Sequence, residues 1–323
     1  MNAPTKILIT GASGYVGNFL AHHFSQQGTT VIGLDLKPHP KAPDNPNFHF
    51  YSCDVRQSEK MLGIFKKAEP THVLHLAYLM DPTHDKTLEY EIDVIGSQNA
   101  LHFAHQTPSV RQFILFSSTS IYGAHKNNPE FFTENSPRNP EDYTYAVYKK
   151  QIEEYYRDFK KRNDLKMVIL RMTTAVGPSY YKPGGVVSSF TKSPLALLLD
   201  GINTRVQFIH EDDVKNLVGK VVNDADIEGV YNLCPKNYTN LKELANAQNK
   251  SAIYFPLWLL KLVFGLLWHL RLANFTPAIA KLMAYSIVGS GNKLATRYNY
   301  HFKFTAKEAF LNAVEKRRTL GTL

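Results

Sequence analysis

Short apolar runs alternate with amphipathic stretches through the first half of the chain. Six runs are typical of buried strands, and they lie at 6–10, 30–35, 48–52, 72–77, 112–118 and 166–172. Helical spacing of apolar residues fills most of the intervals, at 14–28, 56–68, 87–106 and 144–162. Strands separated by helices favour a parallel sheet covered on both faces, and right-handed crossovers then give a doubly wound α/β fold.

The pattern loosens after Gly177-Pro178. Further strands are predicted at 206–210 and 229–234, and residues 256–323 are predicted to be mostly helical. The sequence "TAKE" at 305–308 has the spacing of a capping box and predicts the start of the last helix. These features indicate a smaller, mostly helical C-terminal lobe interwoven with the sheet.

A glycine loop, "TGASGYVG" at 10–17, joins the first strand to the first helix. Gly11 permits a tight turn, Gly14 lets a pyrophosphate approach the backbone, and Gly17 lets the helix pack against the strand. Asp35 ends the second strand, where a carboxylate accepts hydrogen bonds from an adenosine ribose and repels a 2′-phosphate. The loop therefore predicts a Rossmann-type site for NAD rather than NADP. Asp54 either contacts the adenine or caps a helix.

Tyr145 and Lys149 lie four residues apart on the predicted helix 144–162 and so share a face. A nearby ammonium makes a phenol lose its proton more easily. The pair is either the proton-transfer pair of an enzyme or two groups on a solvated helix, and its spacing alone does not decide between them.

The composition changes little in this picture. The net charge of +9 suggests anionic partners, but the basic residues form no long run, and we predict no nucleic-acid partner. Cys53 and Cys234 lie far apart, and the thirteen histidines form no metal motif. We expect no metal, no signal peptide, and a reduced, cytoplasmic protein.

Several motifs together resemble the extended short-chain dehydrogenase/reductase family, which includes the NAD-dependent epimerases and dehydratases. The motifs are the glycine loop with Asp35, "CDV" at 53–55, "LHLAY" at 74–78, "FSSTSIYG" at 116–123, Tyr145 with Lys149, "RMTTAVGP" at 171–178 and "FIHEDDV" at 208–214. The resemblance implies a Rossmann domain over 1–175 with strands returning near 204–234. It assigns 176–203 and 235–323 to a substrate-binding lobe.

The resemblance also implies roles for individual residues. The cofactor would be NAD, held by Gly11, Gly14, Tyr15, Val16, Gly17, Asp35, Asp54, Val55, Leu76, Ala77, Tyr78, Tyr145 and Lys149. The catalytic residues would be Ser118, Tyr145 and Lys149, with Tyr145 as general acid/base at a pKa lowered by Lys149 and the cofactor. The substrate would contact Tyr78, Ser118, Thr119, Tyr145 and Thr174. Family habit implies a homodimer through helices near 87–106 and 144–162.

The chain departs from the family pattern at several positions. No acidic pair follows Ser118, which disfavours a dehydratase, and Asp93 and Thr174 stand where many relatives have asparagine. Val206-Gln207 replaces an arginine that would pair with a diphosphate, although Arg205 is adjacent. We therefore predict an NAD-dependent oxidoreductase acting on an alcohol or carbonyl, lipophilic and steroid-like rather than a nucleotide sugar. A nucleotide-sugar epimerase is the alternative, and a non-catalytic cofactor-binding regulator is a third hypothesis.

One further stretch, "FPLWLLKLVFGLLWHL" at 255–270, is apolar nearly all round its helical circumference. It is too short to cross a bilayer. Three interpretations stay open: a core helix of the substrate lobe, a lid over a lipophilic pocket, or a peripheral membrane contact through 255–271.

Overall fold

A seven-stranded parallel sheet forms the centre of the molecule. The computed structural model describes residues 4–180, 187, 193, 195–273 and 275–319. With strands numbered in chain order, the sheet runs β11-β6-β5-β4-β1-β2-β3. The order reverses between β1 and β4, so the predicted doubly wound, Rossmann-type fold is confirmed.

The strands of this sheet have short, mostly apolar sequences. They are β1 (Lys6–Thr10), β2 (Thr30–Asp35), β3 (Phe48–Ser52), β4 (His72–His75), β5 (Gln112–Ser118), β6 (Lys166–Met172) and β11 (Gly229–Leu233). Six further strands form three two-stranded sheets. They are β7 (Thr174–Val176) with β10 (Phe208–His210), β8 (Leu195–Leu199) with β13 (Ser251–Phe255), and β9 (Arg205–Val206) with β12 (Thr239–Asn240).

Eleven α-helices are described. They are α1 (Tyr15–Gln26), α2 (Ser58–Ala68), α3 (Lys86–Tyr90), α4 (Gly96–Gln106), α5 (Thr144–Asp158), α6 (Glu211–Val222), α7 (Leu241–Ala247), α8 (Leu257–His269), α9 (Ala278–Ala284), α10 (Asn292–Arg297) and α11 (Ala306–Thr319). A π-helical turn (Glu91–Ile95) joins α3 to α4, and a 3₁₀ turn (Thr119–Tyr122) follows β5.

Each face of the central sheet is covered by helices. Apolar side chains of α1 and α6 pack on one face, and those of α2, α4 and α5 pack on the other. Strands β1, β2, β4, β5 and β6 therefore bury both of their faces, which explains their continuous apolar runs, whereas the edge strand β3 has no buried residue.

The C-terminal part contains helices and short strands around a third apolar cluster. The predicted strand 206–210 is divided at Gln207 between two different small sheets. The capping box is present, since the Thr305 N–H donates to Glu308 (2.7 Å) and the Glu308 N–H donates to Thr305 Oγ1 (3.2 Å). The division into two domains stays a prediction, and 1–3, 181–186, 188–192, 194, 274 and 320–323 of those domains lie outside the described residues.

The apolar stretch predicted at 255–270 forms α8, and none of its residues is buried. The core-helix interpretation is therefore wrong: the pattern that suggested it is the same one that a helix facing lipid produces. In the part of the chain that the structure describes, no helix has the length and hydropathy needed to span a bilayer.

Candidate active site

The predicted cofactor residues meet at the carboxyl edge of the sheet. The glycine loop follows β1, Asp35 ends β2, Asp54 and Val55 follow β3, and Leu76–Tyr78 follows β4. The edge is the place where parallel sheets bind ligands, next to the point where strand order reverses. A topology that was inferred from apolar spacing thus brings together residues that are up to about 65 positions apart in sequence.

The glycine loop approaches neighbouring backbone closely. Gly11 has φ +71°, and a Cβ there would lie 2.8 Å from the backbone of Leu76 and Ala77. A Cβ on Gly17 would lie 2.1 Å from the Gly11 carbonyl oxygen, so a side chain is excluded without a backbone shift. Gly14 precedes α1 with no side-chain cap, which leaves the first N–H groups of this helix available for a phosphate. The loop fits a dinucleotide.

Asp35 is held against this loop. Its Oδ2 accepts from the Ser13 N–H (2.9 Å), and its Oδ1 accepts from the Leu36 N–H (2.7 Å). These two bonds fix the carboxylate at the end of β2 while leaving further lone pairs for ribose hydroxyls. The arrangement fits the predicted preference for a cofactor without a 2′-phosphate.

Asp54 and Tyr15 have protein partners that the sequence did not predict. The Asp54 carboxylate accepts from the Arg56 guanidinium (2.8 Å), and this bond lowers the pKa of Asp54. The helix-cap alternative for Asp54 is wrong, because Gln57 precedes α2. The Tyr15 hydroxyl donates to Glu211 Oε2 (2.8 Å). Contact of either residue with NAD stays a prediction.

The three predicted catalytic residues lie on two adjoining elements. Ser118 ends β5, whereas Tyr145 and Lys149 lie one turn apart on α5. The Ser118 side chain lies beside Tyr145 and opposes the rise in the pKa of its phenol. Ser118 Oγ accepts hydrogen bonds from the Ser120 N–H (3.1 Å) and the Ser120 hydroxyl (2.9 Å). The alternative that Ser118 satisfies a loop backbone accounts for the first of these bonds, and a catalytic role for Ser118 stays a prediction.

Lys149 is buried beneath Tyr145. Its ammonium donates to the Phe116 carbonyl (2.5 Å) and lies 2.8 Å from the centroid of the Tyr78 ring. Burial lowers the pKa of Lys149, while the charges of Asp93 and Glu153 oppose that shift. Burial outweighs these two carboxylates, so the pKa of Lys149 lies well below its ordinary value.

The expected lowering of the Tyr145 pKa does not arise from the protein alone. Burial raises the pKa of Tyr145 above its ordinary value, Tyr143 and Asp93 raise it further, and only the Ser118 side chain opposes them. The Lys149 ammonium is 5.6 Å from the Tyr145 ring centroid. Within the protein Tyr145 is therefore a proton donor at neutral pH.

A buried chain of hydrogen bonds connects the glycine loop with this site. Thr10 Oγ1 bonds to His75 Nδ1 (2.8 Å), His75 Nε2 bonds to Ser97 Oγ (2.9 Å), and Ser97 Oγ bonds to the Tyr78 hydroxyl (2.8 Å). Burial lowers the pKa of His75 to about 3, with Lys149 adding to the shift, so the imidazole is neutral. In the sequence, these hydrogen-bonding residues were marked only by the "LHLAY" motif, which contains His75 and Tyr78, and by Thr10 at the start of the glycine loop.

Asp93 is the clearest site residue without a predicted role. It lies in the π-helical turn, is 1% exposed, and accepts from the Leu79 N–H (2.8 Å). It lines one small cavity together with Tyr143, Tyr145, Met80 and residues near them. The sequence flagged Asp93 only as a departure from the family pattern.

Replacing Asp93 with Asn is expected to change how stability depends on pH. Burial raises the pKa of Asp93 to about 6, so its contribution to stability is largest below pH ~4 and is lost as the pH rises through 6. Asp93→Asn keeps the acceptor for Leu79 and removes the titration. We expect the variant to gain on the order of 2 kcal/mol relative to wild type between pH 4 and pH 8.

Urea unfolding at the two pH values measures this difference. Asp158→Asn is the matched control, because Asp158 lies at the exposed end of α5 with only a surface pair to Arg157. Equal pH profiles for wild type and Asp93→Asn would mean that Asp93 has the same pKa in the folded and the unfolded protein, which would contradict the prediction.

The remaining predicted substrate residues are Thr119 and Thr174. Thr119 is buried with its methyl group against Gly289, and Ser120 lines a second cavity beside Tyr143 instead. Thr174 is exposed at the start of β7. Substrate contact by Thr119 or Thr174 stays a prediction. Among the described residues no three His, Cys, Asp or Glu side chains form a metal cluster.

A family model decides the affiliation of the chain. Residues 7–234 match the model of the NAD dependent epimerase/dehydratase family. The chain belongs to this family. The match includes the glycine loop, Asp35, Ser118, Tyr145 and Lys149, and it confirms the resemblance that the motifs indicated. An enzyme with an NAD cofactor is confirmed at the level of the family.

Relatives of the chain are distant but nearly co-extensive with it. An uncharacterized protein of Mycobacterium tuberculosis is 24% identical over 95% of this chain and 82% of its own length. The Bordetella bronchiseptica enzyme WbmG, solved with NAD and UDP, has a TM-score of 0.78 at 19% identity and covers 99% and 96% of the two chains. The Thermotoga maritima UDP-glucose 4-epimerase has a TM-score of 0.78 at 22% identity and covers 98% and 99%.

These similarities confirm the fold and leave the substrate open. At such identities the structures establish a shared architecture. The two solved structures were determined with UDP or UDP-glucose, so the steroid-like substrate has no support from them.

Proposed function

We propose that this family member is an NAD-dependent oxidoreductase that transfers hydride between NAD and an alcohol or carbonyl carbon. The observation that carries the proposal is the placement of Ser118 at the end of β5 beside Tyr145, with Lys149 one turn away, next to a glycine loop that fits a dinucleotide. A protein that only binds NAD has no need of these three side chains, which counts against the regulator hypothesis.

Each residue has a defined task in this proposal. Tyr145 gives a proton to a carbonyl oxygen or takes one from a hydroxyl, and Ser118 donates a hydrogen bond to the same oxygen. Bound NAD supplies or accepts the hydride, and in its oxidised form it adds a positive charge beside the phenol. Lys149, now bonded to the Phe116 carbonyl, would hold the nicotinamide ribose and add to that charge. Positioning of this kind accounts for a large part of catalysis.

We propose a lipophilic alcohol or carbonyl compound as the substrate class, because the described arginines near the site are already engaged. Arg171 is buried in a bidentate pair with Glu153 (2.7 Å), and Arg205 donates to the Pro129 carbonyl (3.0 Å). Gln207, where relatives have the diphosphate-binding arginine, is buried and donates to Gly289 and Pro235 carbonyls. A diphosphate needs free guanidinium groups, which these residues do not provide.

A nucleotide-sugar epimerase is the second candidate. It is favoured by the relatives, among which are a UDP-glucose 4-epimerase and an enzyme solved with UDP. Such an enzyme would return the hydride to its substrate and leave NAD unchanged overall.

One assay separates the two candidates. The purified protein is incubated with NAD and a panel of lipophilic alcohols, and separately with UDP-sugars, while absorbance at 340 nm and sugar isomers are both followed. We expect NADH to form with at least one lipophilic alcohol and no isomerisation of UDP-sugars. Isomerised UDP-sugar without net NADH would replace the proposal with the epimerase.

We also propose a homodimer, as family habit suggests, through helices near 87–106 and 144–162. Exposed apolar side chains on that surface, Tyr90 (36% exposed) and Ile95 (37% exposed), support this interface. Sedimentation of the protein measures the mass directly.

A further inference from the structure

Most of the large apolar side chains that the structure leaves exposed lie in one segment, from β8 to Leu272 just after α8. In α8 itself Trp258 is 67% exposed, Leu262 is 62% and Leu266 is 58%, and they are followed by Leu270 and Leu272 at 57% and 71%. Surfaces of this kind on a folded protein mark a contact with another apolar body.

These side chains form one face of the helix. Positions 258, 262, 266, 269 and 270 follow one another at intervals that keep them on the same side. The opposite side packs on the protein: Trp268 stacks on His84 with ring centroids 3.8 Å apart, and Phe264 contacts the Phe275 ring at 4.6 Å. The helix is therefore fixed to the body by one side and presents leucines and a tryptophan on the other.

The sequence segment that contains this face has ionised side chains of a single sign, although Lys281 and Arg297 in it pair with acidic residues from other parts of the chain. From residue 244 to residue 307 the sequence contains no aspartate or glutamate. This segment contributes eight positive charges, and the net charge of the whole chain is +9. The basic residues are Lys250, Lys261, Arg271, Lys281, Lys293, Arg297, Lys303 and Lys307. Lys261 and Arg271 border the apolar face and are exposed. Within the part of the chain that the structure describes, neither forms an ion pair with an acidic residue.

We propose that the face of α8 docks on an anionic lipid surface. The helix has 13 residues and would span only ~20 Å, so it lies along the surface rather than across the bilayer. Leucines and Trp258 enter the boundary between headgroups and acyl chains, and Lys261 and Arg271 reach the headgroup phosphates. A second copy of this chain fits less well, because a two-fold contact through this face would bring Lys261 and Arg271 of one copy towards the same cations of the other.

This docking has a consequence for the enzyme, which rests on the proposed function. Trp268 contacts His84 in the loop after β4, and that loop also supplies Met80 and Pro82 to the cavity beside Tyr145. Thr276, seven residues after α8, lines the same cavity. A bilayer below α8 therefore lies next to the cavity, and a lipophilic substrate would reach Tyr145 from the membrane.

Intrinsic fluorescence offers a direct test, because the two tryptophans of the chain, Trp258 and Trp268, both belong to α8. The whole protein is mixed with vesicles of phosphatidylcholine alone or with an equal share of phosphatidylglycerol. We expect co-sedimentation and a blue shift with the anionic vesicles, quenching by brominated lipid, and at least tenfold weaker binding to the neutral vesicles or in high salt.

Three variants define the surface. Leu262→Asp with Leu266→Asp is expected to abolish binding, and Lys261→Glu with Arg271→Glu to weaken it about tenfold on anionic vesicles. Leu36→Asp is the matched control, because Leu36 is 59% exposed at the other end of the chain, and it is expected to bind as wild type does. Circular dichroism and thermal melting of each variant report folding.

Three results would overturn the docking proposal. They are no binding to either vesicle, equal binding by the double leucine variant, or a blue shift that depends on protein concentration without lipid. The last would assign the face to self-association. The vesicle-binding assay does not depend on turnover. Failure of the docking proposal and failure of the proposed oxidoreductase function can therefore be told apart.

Discussion

Replacing Tyr145 with Phe is expected to lower kcat by roughly a thousandfold while NAD still binds, because the variant removes one hydroxyl and leaves the ring. That hydroxyl lies beside Ser118 and one turn before Lys149 on α5. NAD binding is predicted to depend chiefly on the glycine loop and Asp35, and the substitution changes neither of them.

Tyr148→Phe is the matched control, since it removes the same atom three residues later on α5. Tyr148 packs edge-on against Tyr90 on the outer side of the helix, and its loss is expected to change kcat less than threefold. Turnover on the substrate identified in the panel and equilibrium NAD binding are both measured. A Tyr145→Phe enzyme with ordinary kcat would remove Tyr145 from the chemistry and return the pair to the solvated-helix interpretation.

The pH dependence of turnover is a further test of Tyr145 as the proton donor. Burial raises the pKa of Tyr145 in the protein alone, so Tyr145 holds its proton at neutral pH and is ready to donate it to a carbonyl. Reduction of the carbonyl is therefore expected to persist at lower pH than oxidation of the alcohol. From the sequence, the spacing of Tyr145 and Lys149 predicted that the pKa of Tyr145 would be lowered. The spacing shows that a cation is close, but it does not show that both groups are buried.

The central sheet was predictable from the sequence because its signals are local. The strands β1, β2, β3, β5 and β6 have the predicted bounds, since each is an apolar run limited by turn residues. The C-terminal part was less predictable. Strands β8 and β13 pair residues more than fifty positions apart, and Leu195 and Leu197 remain exposed in β8, so neither alternation nor burial identified them.

The candidate active site was likewise predictable in part. Ser118, Tyr145, Lys149 and the glycine loop are sequence motifs, and the fold places them at one edge of the sheet. Asp93, His75 and Ser97 act through buried contacts that form only when β4 and α4 come together. Helix α8 could not be placed from the spacing of its apolar residues. A helix that is apolar all round is typical both of a protein core and of a surface that faces lipid, and the exposure of α8 in the structure excludes the core.

Replacing Glu153 with Gln is expected to destabilise the fold by roughly 3 kcal/mol. Glu153 is 1% exposed on α5 and accepts from Arg171 Nε (3.1 Å) and Nη2 (2.7 Å) on β6. The same guanidinium donates to the Tyr122 hydroxyl (3.1 Å) and the Glu134 carbonyl (2.8 Å). The amide of Glu153→Gln would keep one acceptor but leave the Arg171 charge buried without a counter-charge, which is the costly half of breaking such a pair.

The adjacent residue provides the control, since Glu154 is on the same helix but its side chain is 39% exposed in surface pairs with Arg138 and Lys150. Glu154→Gln is expected to cost less than about 1 kcal/mol. Calorimetric melting would show a fall of roughly 6–12 °C for Glu153→Gln and a small one for Glu154→Gln. Because Glu153 is one turn beyond Lys149, the first variant should also lower kcat, as α5 loses its anchor to the strand beside β5. Equal melting temperatures for the two variants would mean that the Arg171 charge is solvated, and the pair would then not be what fixes α5 to the sheet.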